Sequence, residues 1–413
     1  MRSDKYKKTV DFDGQQYSPE LIRQYENPEY AKAAEEYERQ ALKRKKSQAT
    51  KGSGFAEQEE VYAGQRSRGK KKKYRFRIGR LIRNVFLVFL IFFIGISGVF
   101  FALTGNFDKV DTEKDAFAID SQVASQLRGY WNIAIMGVDA RADEGYDGSR
   151  TDAIIIMSIE KLTGDVKLIS VMRDSYLKME YFDGQMILDK ITHAHHYAGG
   201  VNTCAALNRS LDLNIDEFVI FNWKAVSDAV DCLGGIEIDV KENEIADMNT
   251  WGPETASNVD GSYTEITEAG LQTLDGVQAT TYCRIRKTSG GDEGRGQRYK
   301  KVMAAVMKQA LTHPWKLKEL SDTVFPNVRT NMSQMELYTA ALGAVRYDIQ
   351  DNISWPEDYY AGLLSDGLSY VVPVTLESNV VKLHEVAFEQ EGYEVSDTCR
   401  QISQEIINDT GLQ

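Results

Sequence analysis

Three runs decide the fold: Asn132-Ile-Ala-Ile-Met-Gly-Val138, Ala153-Ile-Ile-Ile-Met-Ser-Ile159 and Val166-Lys-Leu-Ile-Ser-Val171. Each is short, rich in β-branched residues and bounded by Gly- and Asp-containing turns, the signature of buried strands. Outward from them, the pattern predicts a helix over 201–211, a strand over 218–222, a helix over 223–233, and a strand over 236–240 after Gly234-Gly235. A strand is expected over 280–286, with long helices around 295–311 and 333–345. Residues 251–267 read as an irregular insertion, and 373–412 as a last strand plus two closing helices. Strands and helices interleaved in this way predict an α/β fold, a central mixed sheet flanked by helices.

The net charge of -12 over 413 residues hides an asymmetry. Residues 1–84 carry 22 Lys and Arg against 12 Asp and Glu, a local excess of +10, and the remainder of the chain is acidic. Between the two lies 85–103, with no charged residue and fifteen Val, Leu, Ile or Phe. At 1.5 Å per residue a helix of this length spans roughly 28 Å, the thickness of a bilayer core. Its apolar side chains favour insertion by about 5–9 kcal/mol. Lys70 to Lys73, Arg75, Arg77, Arg80 and Arg83 precede the stretch, while only Lys109 and Lys114 follow closely. The positive-inside rule then places the N-terminus in the cytoplasm and everything after about Thr104 outside.

The organisation expected is a basic segment over 1–84, with a helix over 19–46 and a linker over 47–69. A single transmembrane helix follows over 85–103, then a stalk over 104–130, a catalytic domain over 131–395 and a closing helix and tail over 396–413. The acidic exterior argues against nucleic acid as a partner.

The strand ends carry the chemistry. Asp139 and Arg141 follow the first run, Arg150 and Asp152 precede the second, and Arg173-Asp174 follow the third. Arg284 and Arg286 fall on one face of the strand expected there. Arg295 and Arg298, three apart, share a face of the next helix, just after Asp292. Guanidinium groups match phosphate oxygens bidentately and stay charged at any working pH, so the cluster points to a phosphate or pyrophosphate ligand. Asp139 and Asp152 suit Mg²⁺, which takes one or two carboxylates and completes its shell with water and substrate oxygens. The competing reading is a set of structural ion pairs, and Asp174 is its strongest candidate.

These segments resemble the LytR-CpsA-Psr family of membrane-anchored cell-wall glycopolymer ligases. The resemblance is carried in order by Gly137-Val-Asp139-Ala-Arg141, Arg150-Thr-Asp152, Ser170-Val-Met-Arg173-Asp174, Asp189-Lys190-Ile191 with Gly199-Gly200, Leu233 to Asp239, Leu274 to Ala279, and Arg284 to Arg298. It implies transfer of a teichoic acid, capsular or other secondary wall polymer from undecaprenyl pyrophosphate to a muramic acid hydroxyl of peptidoglycan, forming a phosphodiester. By position, Asp139 and Asp152 hold Mg²⁺, with Mn²⁺ an alternative. Asp139, Asp152 and Arg173 are the catalytic set, and Arg150, Arg173, Arg284, Arg286 and Arg295 bind the pyrophosphate, supported by Arg141, Lys190 and Arg298. Met172 stands where the family has Pro, and Tyr299 where it has Gln. The lipid requires an apolar tunnel, for which Leu207, Leu211, Val226, Val230 and Leu233 are candidates, with ordinary core packing the alternative. Two other functions fit the same resemblance: a membrane-bound transcriptional attenuator, and a hydrolase of the lipid pyrophosphate.

His193, His195 and His196 are spaced too tightly for a typical zinc site and read as a polar rim. Cys204 and Cys232 fall on predicted helices outside the membrane, as a disulfide or as buried thiols.

Overall fold

The computed structural model describes residues 97–140, 146–285 and 291–413, and in the N-terminal unit two short antiparallel strands, β1 (Val10–Phe12) and β2 (Gln15–Tyr17). At 10–12, 15–17, 291–293, 295 and 351–352 the backbone alone is described. The expected helix over 19–46, the linker over 47–69 and residues 85–96 of the apolar stretch lie outside the described residues. Residues 97–104 are helical, and no helix among the described residues is long and apolar enough to cross a membrane.

Residues 104–130, expected as a stalk, contribute to the domain itself. They form β3 (Asp108–Lys109), a 3-10 turn at Lys114–Phe117 and α1 (Ser121–Gln126), whose first turn is capped by the Asp120 carboxylate. Phe117, Val123 and Leu127 are buried in the main core.

The three apolar runs are β4 (Tyr130–Val138), β5 (Thr151–Glu160) and β6 (Asp165–Val171), joined as antiparallel neighbours. A hairpin of β7 (Tyr176–Glu180) and β8 (Met186–Lys190) leads directly into α2 (Ile191–Leu211). This helix begins well before the expected 201. Ala198 and Gly199 interrupt it, Gly199 at φ 71°, a value that favours glycine, so the pattern reveals only its second half.

Next come β9 (Glu217–Asn222), α3 (Trp223–Cys232), β10 (Ile236–Val240), α4 (Glu242–Asn258), β11 (Gly270–Leu274) and α5 (Gly276–Arg284). Two expectations are corrected here. The insertion starting at Trp251 is helical as far as Asn258, with Pro253 inside α4. Burial of Met248 and Ala256 in one apolar cluster offsets the helix-breaking cost of about 3 kcal/mol. The strand expected over 280–286 is instead helical as far as Arg284, as the end of α5. Asp275 and Gln278 form a capping box at its start, and the Thr281 hydroxyl donates to the Val277 carbonyl at 2.7 Å, which lets a β-branched residue sit within a helix.

The chain closes with α6 (Gly291–Thr312), α7 (Leu317–Thr323), β12 (Val328–Thr330), α8 (Gln334–Gly343), β13 (Asp348–Trp355), a hairpin of β14 (Tyr359–Leu363) and β15 (Ser369–Pro373), α9 (Leu376–Phe388) and α10 (Asp397–Thr410). The central sheet has seven strands in the order β13-β6-β5-β4-β9-β12-β3. It is mixed, since β4 runs antiparallel to β5 and parallel to β9.

One face of the sheet is covered by α2, α9 and α10. There Met136, Ile156 and Phe218 pack with Leu207, Leu211, Leu383 and Ile402. Each such side chain contributes about 1.5–3 kcal/mol by leaving water. The other face carries α3, α6 and α8, and the two helices α4 and α5 pack beside it with the β10–β11 pair. All four cysteines are free and buried, which settles the Cys204 and Cys232 alternatives in favour of thiols. Burial pushes the Cys204 thiol far up, so it is inert as a nucleophile.

Candidate active site

The strand register assembles the charged residues. Gly137 pairs with Ala153 while Val138 pairs with Thr151, which makes Asp152 the extra residue of a bulge at the end of the two central strands. A Cβ on Gly137 would lie 3.2 Å from that of Ala153 and 3.5 Å from the Phe221 ring, a tight fit that a larger residue would enter only if Ala153 gave way by a few tenths of an ångström. Just beyond, the Asp139 N–H donates to the Arg150 carbonyl at 3.1 Å. Asp139, Arg150 and Asp152 therefore emerge from one end of β4 and β5.

Arg173 and Asp174 arrive from the neighbouring strand, where Val171 pairs with Ile154. Arg173 Nη1 bonds Asp152 Oδ1, and its Nε lies 3.5 Å from Asp174 Oδ2. Lys190 Nζ follows, 3.7 Å from Asp174 Oδ1 and 5.1 Å from the centre of the Tyr370 ring. The result is an alternating row of Asp152, Arg173, Asp174 and Lys190, all half-buried, with Asp139 and Arg150 exposed beside it. Half-exposed pairs of this kind contribute only about 0–1 kcal/mol to stability. Their concentration at one strand end is thus poorly explained by folding.

The start of α2 locks this geometry. The Thr192 N–H donates to the Arg173 carbonyl at 2.9 Å and its hydroxyl to the Thr151 carbonyl at 2.7 Å, tying the two loops together. His195 Nδ1 bonds the Ser149 carbonyl at 2.9 Å, and His196 Nδ1 bonds that of Gly148. His193 Nδ1 and the Tyr197 hydroxyl both bond Asp189 Oδ2, at 2.8 and 2.6 Å. Burial alone would raise the Asp189 pKa, but these bonds and one from the Lys190 N–H outweigh it and hold the carboxyl below its ordinary value. The three histidines thus position loops and a carboxylate, as a polar rim.

Other sequence-predicted residues have partners outside this row. Arg284, in the last turn of α5, donates to Thr255 Oγ1 at 2.9 Å and to Glu254 Oε1 at 3.0 Å. Arg298 is 2% exposed; its Nη1 lies 3.5 Å from Glu244 Oε1 and its Nη2 donates to the Ile285 carbonyl, so it fastens α6 to α4 and α5. The expectation that Arg298 supports pyrophosphate binding is corrected on that ground, and with α5 a helix, Arg284 lies on no strand face. Arg141 and Arg286 are outside the described residues, as is the side chain of Arg295.

No group of three or more His, Cys, Asp or Glu among the described residues is arranged to hold a metal. Mg²⁺ asks for less, one or two carboxylates together with substrate and water oxygens, and Asp139 and Asp152 on adjacent strand ends fit that donor set.

On the sheet face away from α2 lies an apolar cavity of about 250 Å³, lined by Ile135, Ala153 and Ile155 from the sheet, Val226 from α3 and Val302 and Met303 from α6. Ala153, Ile155 and Tyr299 also line a small pocket that contains Asp152, Ser170 and Met172. Of the charged row only Asp152 lines this small pocket, which shares Ala153, Ile155 and Tyr299 with the wall of the apolar cavity. Of the residues expected to line a tunnel, Val226 lines this cavity. Leu207 and Leu211 pack in the core of the opposite face, and Val230 and Leu233 in separate clusters. Helical spacing shows that a face is apolar, but not which neighbour it meets. Tyr299 stands out in the sequence only as a departure from a pattern; its position in that shared wall has no signal there.

The sequence profile of the LytR_cpsA_psr family matches residues 99–383. The chain is 26% identical over 280 residues to the polyisoprenyl-teichoic acid–peptidoglycan teichoic acid transferase TagT of Bacillus subtilis (strain 168), covering 65% of this chain and 82% of that one. To the transferase of the same description named TagU in Halalkalibacterium halodurans it is 31% identical over 228 residues, 54% of this chain and 66% of that one. Among solved structures, protein gbs0355 from Streptococcus agalactiae has the same fold, with a TM-score of 0.55 at 22% identity over 67% of this chain and 93% of that one.

Proposed function

The chain belongs to the LytR_cpsA_psr family, and from that premise we propose that it transfers a glycopolymer from a polyprenyl pyrophosphate to a peptidoglycan hydroxyl. The observation that carries this reading is the closeness of an apolar cavity to Asp152, which lines a pocket sharing Ala153 and Tyr299 with it and is itself paired with Arg173. A prenyl pyrophosphate is itself an apolar chain joined to a compact polyanion. The names of TagT and TagU favour a teichoic acid as the polymer.

In this mechanism Arg173 and Arg150 neutralise pyrophosphate oxygens, with Arg284, Arg286 and Arg295 assigned the same task by the resemblance and Arg141 and Lys190 in support. Asp139 and Asp152 would hold Mg²⁺ or Mn²⁺, which when bound supplies further neutralisation of those oxygens. The acceptor oxygen attacks the glycan-side phosphorus and the bond to the bridging oxygen breaks, so that polyprenyl phosphate leaves with the electron pair. The acceptor proton passes to an aspartate. Asp152 suits this role because Arg173, on turning to the phosphate, releases its Oδ1. Positioning and charge stabilisation dominate such a transfer, which needs no covalent nucleophile on the protein.

The uncharged stretch 85–103 is assigned as a single transmembrane anchor with the N-terminus cytoplasmic, which keeps the site close to a membrane-bound donor. Incubating the purified protein with a polyprenyl-pyrophosphate glycan, with and without peptidoglycan, tests the reaction. Polymer should appear on peptidoglycan, and polyprenyl phosphate should be released, only when the acceptor is present. Cleavage at the same rate without acceptor would identify a hydrolase instead.

A further inference from the structure

Beside the charged row, the turn of the β7–β8 hairpin and the first turns of α2 bring together a cluster of aromatic rings that the transfer mechanism leaves unused. The Tyr181 and Tyr197 ring centroids are 4.8 Å apart, Phe182 and Tyr197 5.0 Å, and Phe182 and His196 5.3 Å, all edge to face. Phe182 is 59% exposed and Tyr181 39%. Neither belongs to a core cluster, so their exposure is not the edge of a buried packing unit.

The cluster is tied to the site by hydrogen bonds. In the hairpin turn the Tyr181 N–H donates to the Gln185 carbonyl at 2.8 Å and the Gly184 N–H to that of Tyr181 at 3.0 Å. The Tyr197 hydroxyl is held by Asp189, and His196 by the Gly148 carbonyl in the loop that leads to Arg150. Adjacent exposed rings on a hydrogen-bonded support are a recognition surface. A pyranose fits it, since one face of the sugar presents C–H bonds to a ring while its equatorial hydroxyls reach the polar edges.

Two observations choose the occupant. Glu180 and Asp183 flank the rings, which disfavours a phosphate-rich polymer or an anionic lipid surface relative to a glycan strand with at most one carboxylate per disaccharide. Phosphoryl transfer places the attacking and leaving oxygens roughly in line across the phosphorus. The apolar cavity lies on the α3 and α6 face of the sheet, and the rings lie on the α2 side. With the lipid phosphate leaving toward the cavity, the incoming hydroxyl approaches from the side of the rings.

We propose that Phe182, Tyr181 and Tyr197 form the acceptor subsite, stacking an N-acetylated hexosamine of the glycan strand. This rests on the transfer reading for the word acceptor, while the binding itself is independent of it. The probe is a soluble glycan strand of alternating N-acetylglucosamine and N-acetylmuramic acid, stripped of peptide and titrated against the full-length protein in detergent. Phe182→Ala should weaken binding on the order of tenfold, Phe182→Trp should restore it, and binding of polyprenyl pyrophosphate should be unchanged in both. In the transfer assay Phe182→Ala should raise the KM for the strand and spare that for the donor. Equal binding by wild type and Phe182→Ala, or no binding of the strand to the wild type, overturns the proposal. Strand binding that depends on Phe182 in a protein that transfers nothing would keep the subsite and refute the transfer.

Discussion

The two faces of the central sheet are built from similar residues and reach opposite results. Against α2, α9 and α10 the side chains of β4, β5 and β9 close into a filled core that includes Met136, Ile156, Phe218 and Leu207. Against α3 and α6, Ile135, Ala153 and Ile155 of the same strands line open space. Apolar composition therefore does not separate a packing face from a binding face. Residue size alone does not separate them either, since Phe221 and Trp223 line the cavity beside Ala153, Ala225 and Ala229, and the filled core contains Ala134 and Ala206.

Arg173, in the charged row at the end of these strands, offers the largest test of this contrast. Arg173→Ala should lower glycopolymer transfer by about 100- to 1,000-fold, as loss of a charge-stabilising group does, while the thermal midpoint shifts only slightly. A parallel loss of fold would make Arg173 a structural residue. Next in size is Leu207→Ala on the filled face, which should cost about 2–5 kcal/mol in denaturant titration and leave the activity of the folded fraction intact. Val226→Phe on the open face should do the reverse. By occupying empty volume it should change stability by no more than about 1 kcal/mol, yet weaken binding of a polyprenyl pyrophosphate about tenfold.

The smallest effect concerns the other end of β9. Glu217 is raised well above the usual carboxylate range, first by burial and then by the hydrogen-bonded Asp216 carboxylate beside it. The folded protein thus keeps a proton that the unfolded chain releases. The stability this gives is complete below the unfolded carboxylate pKa and is lost as pH rises through the folded value. Glu217→Gln should flatten that dependence and stabilise the protein by about 1 kcal/mol at pH 8, measured as denaturation curves from pH 5 to 9.

Much of this was written in the sequence where local pattern and tertiary environment agree. Strands β4, β5 and β6 were legible because burial on both faces leaves uninterrupted β-branched runs, and Asp139, Asp152 and Arg173 because they sit at the ends of those runs. Legibility failed where a side chain's partner is distant in sequence. Thr280 and Thr281 look like strand residues until the Asp275–Gln278 capping box is weighed. Arg298 looks like a ligand-binding arginine until Glu244, from another helix, is brought against it. Phe117 and Leu127 fall in a stretch too short to show a period, and their burial comes from elements that follow them in the chain. The cavity was invisible for the same reason, since it is defined by what several elements leave unfilled.

The central claim is that the open face of the sheet holds the prenyl chain of a donor whose pyrophosphate lies at Asp152 and Arg173. A polyprenyl pyrophosphate with a photoreactive group in its chain, irradiated on the protein and mapped by peptide mass spectrometry, addresses it directly. Labelling should concentrate on α3 and α6 around Val226, Val302 and Met303, and should fall in Val226→Phe. Labelling on α2 or α9, or labelling that Val226→Phe leaves unchanged, would contradict it.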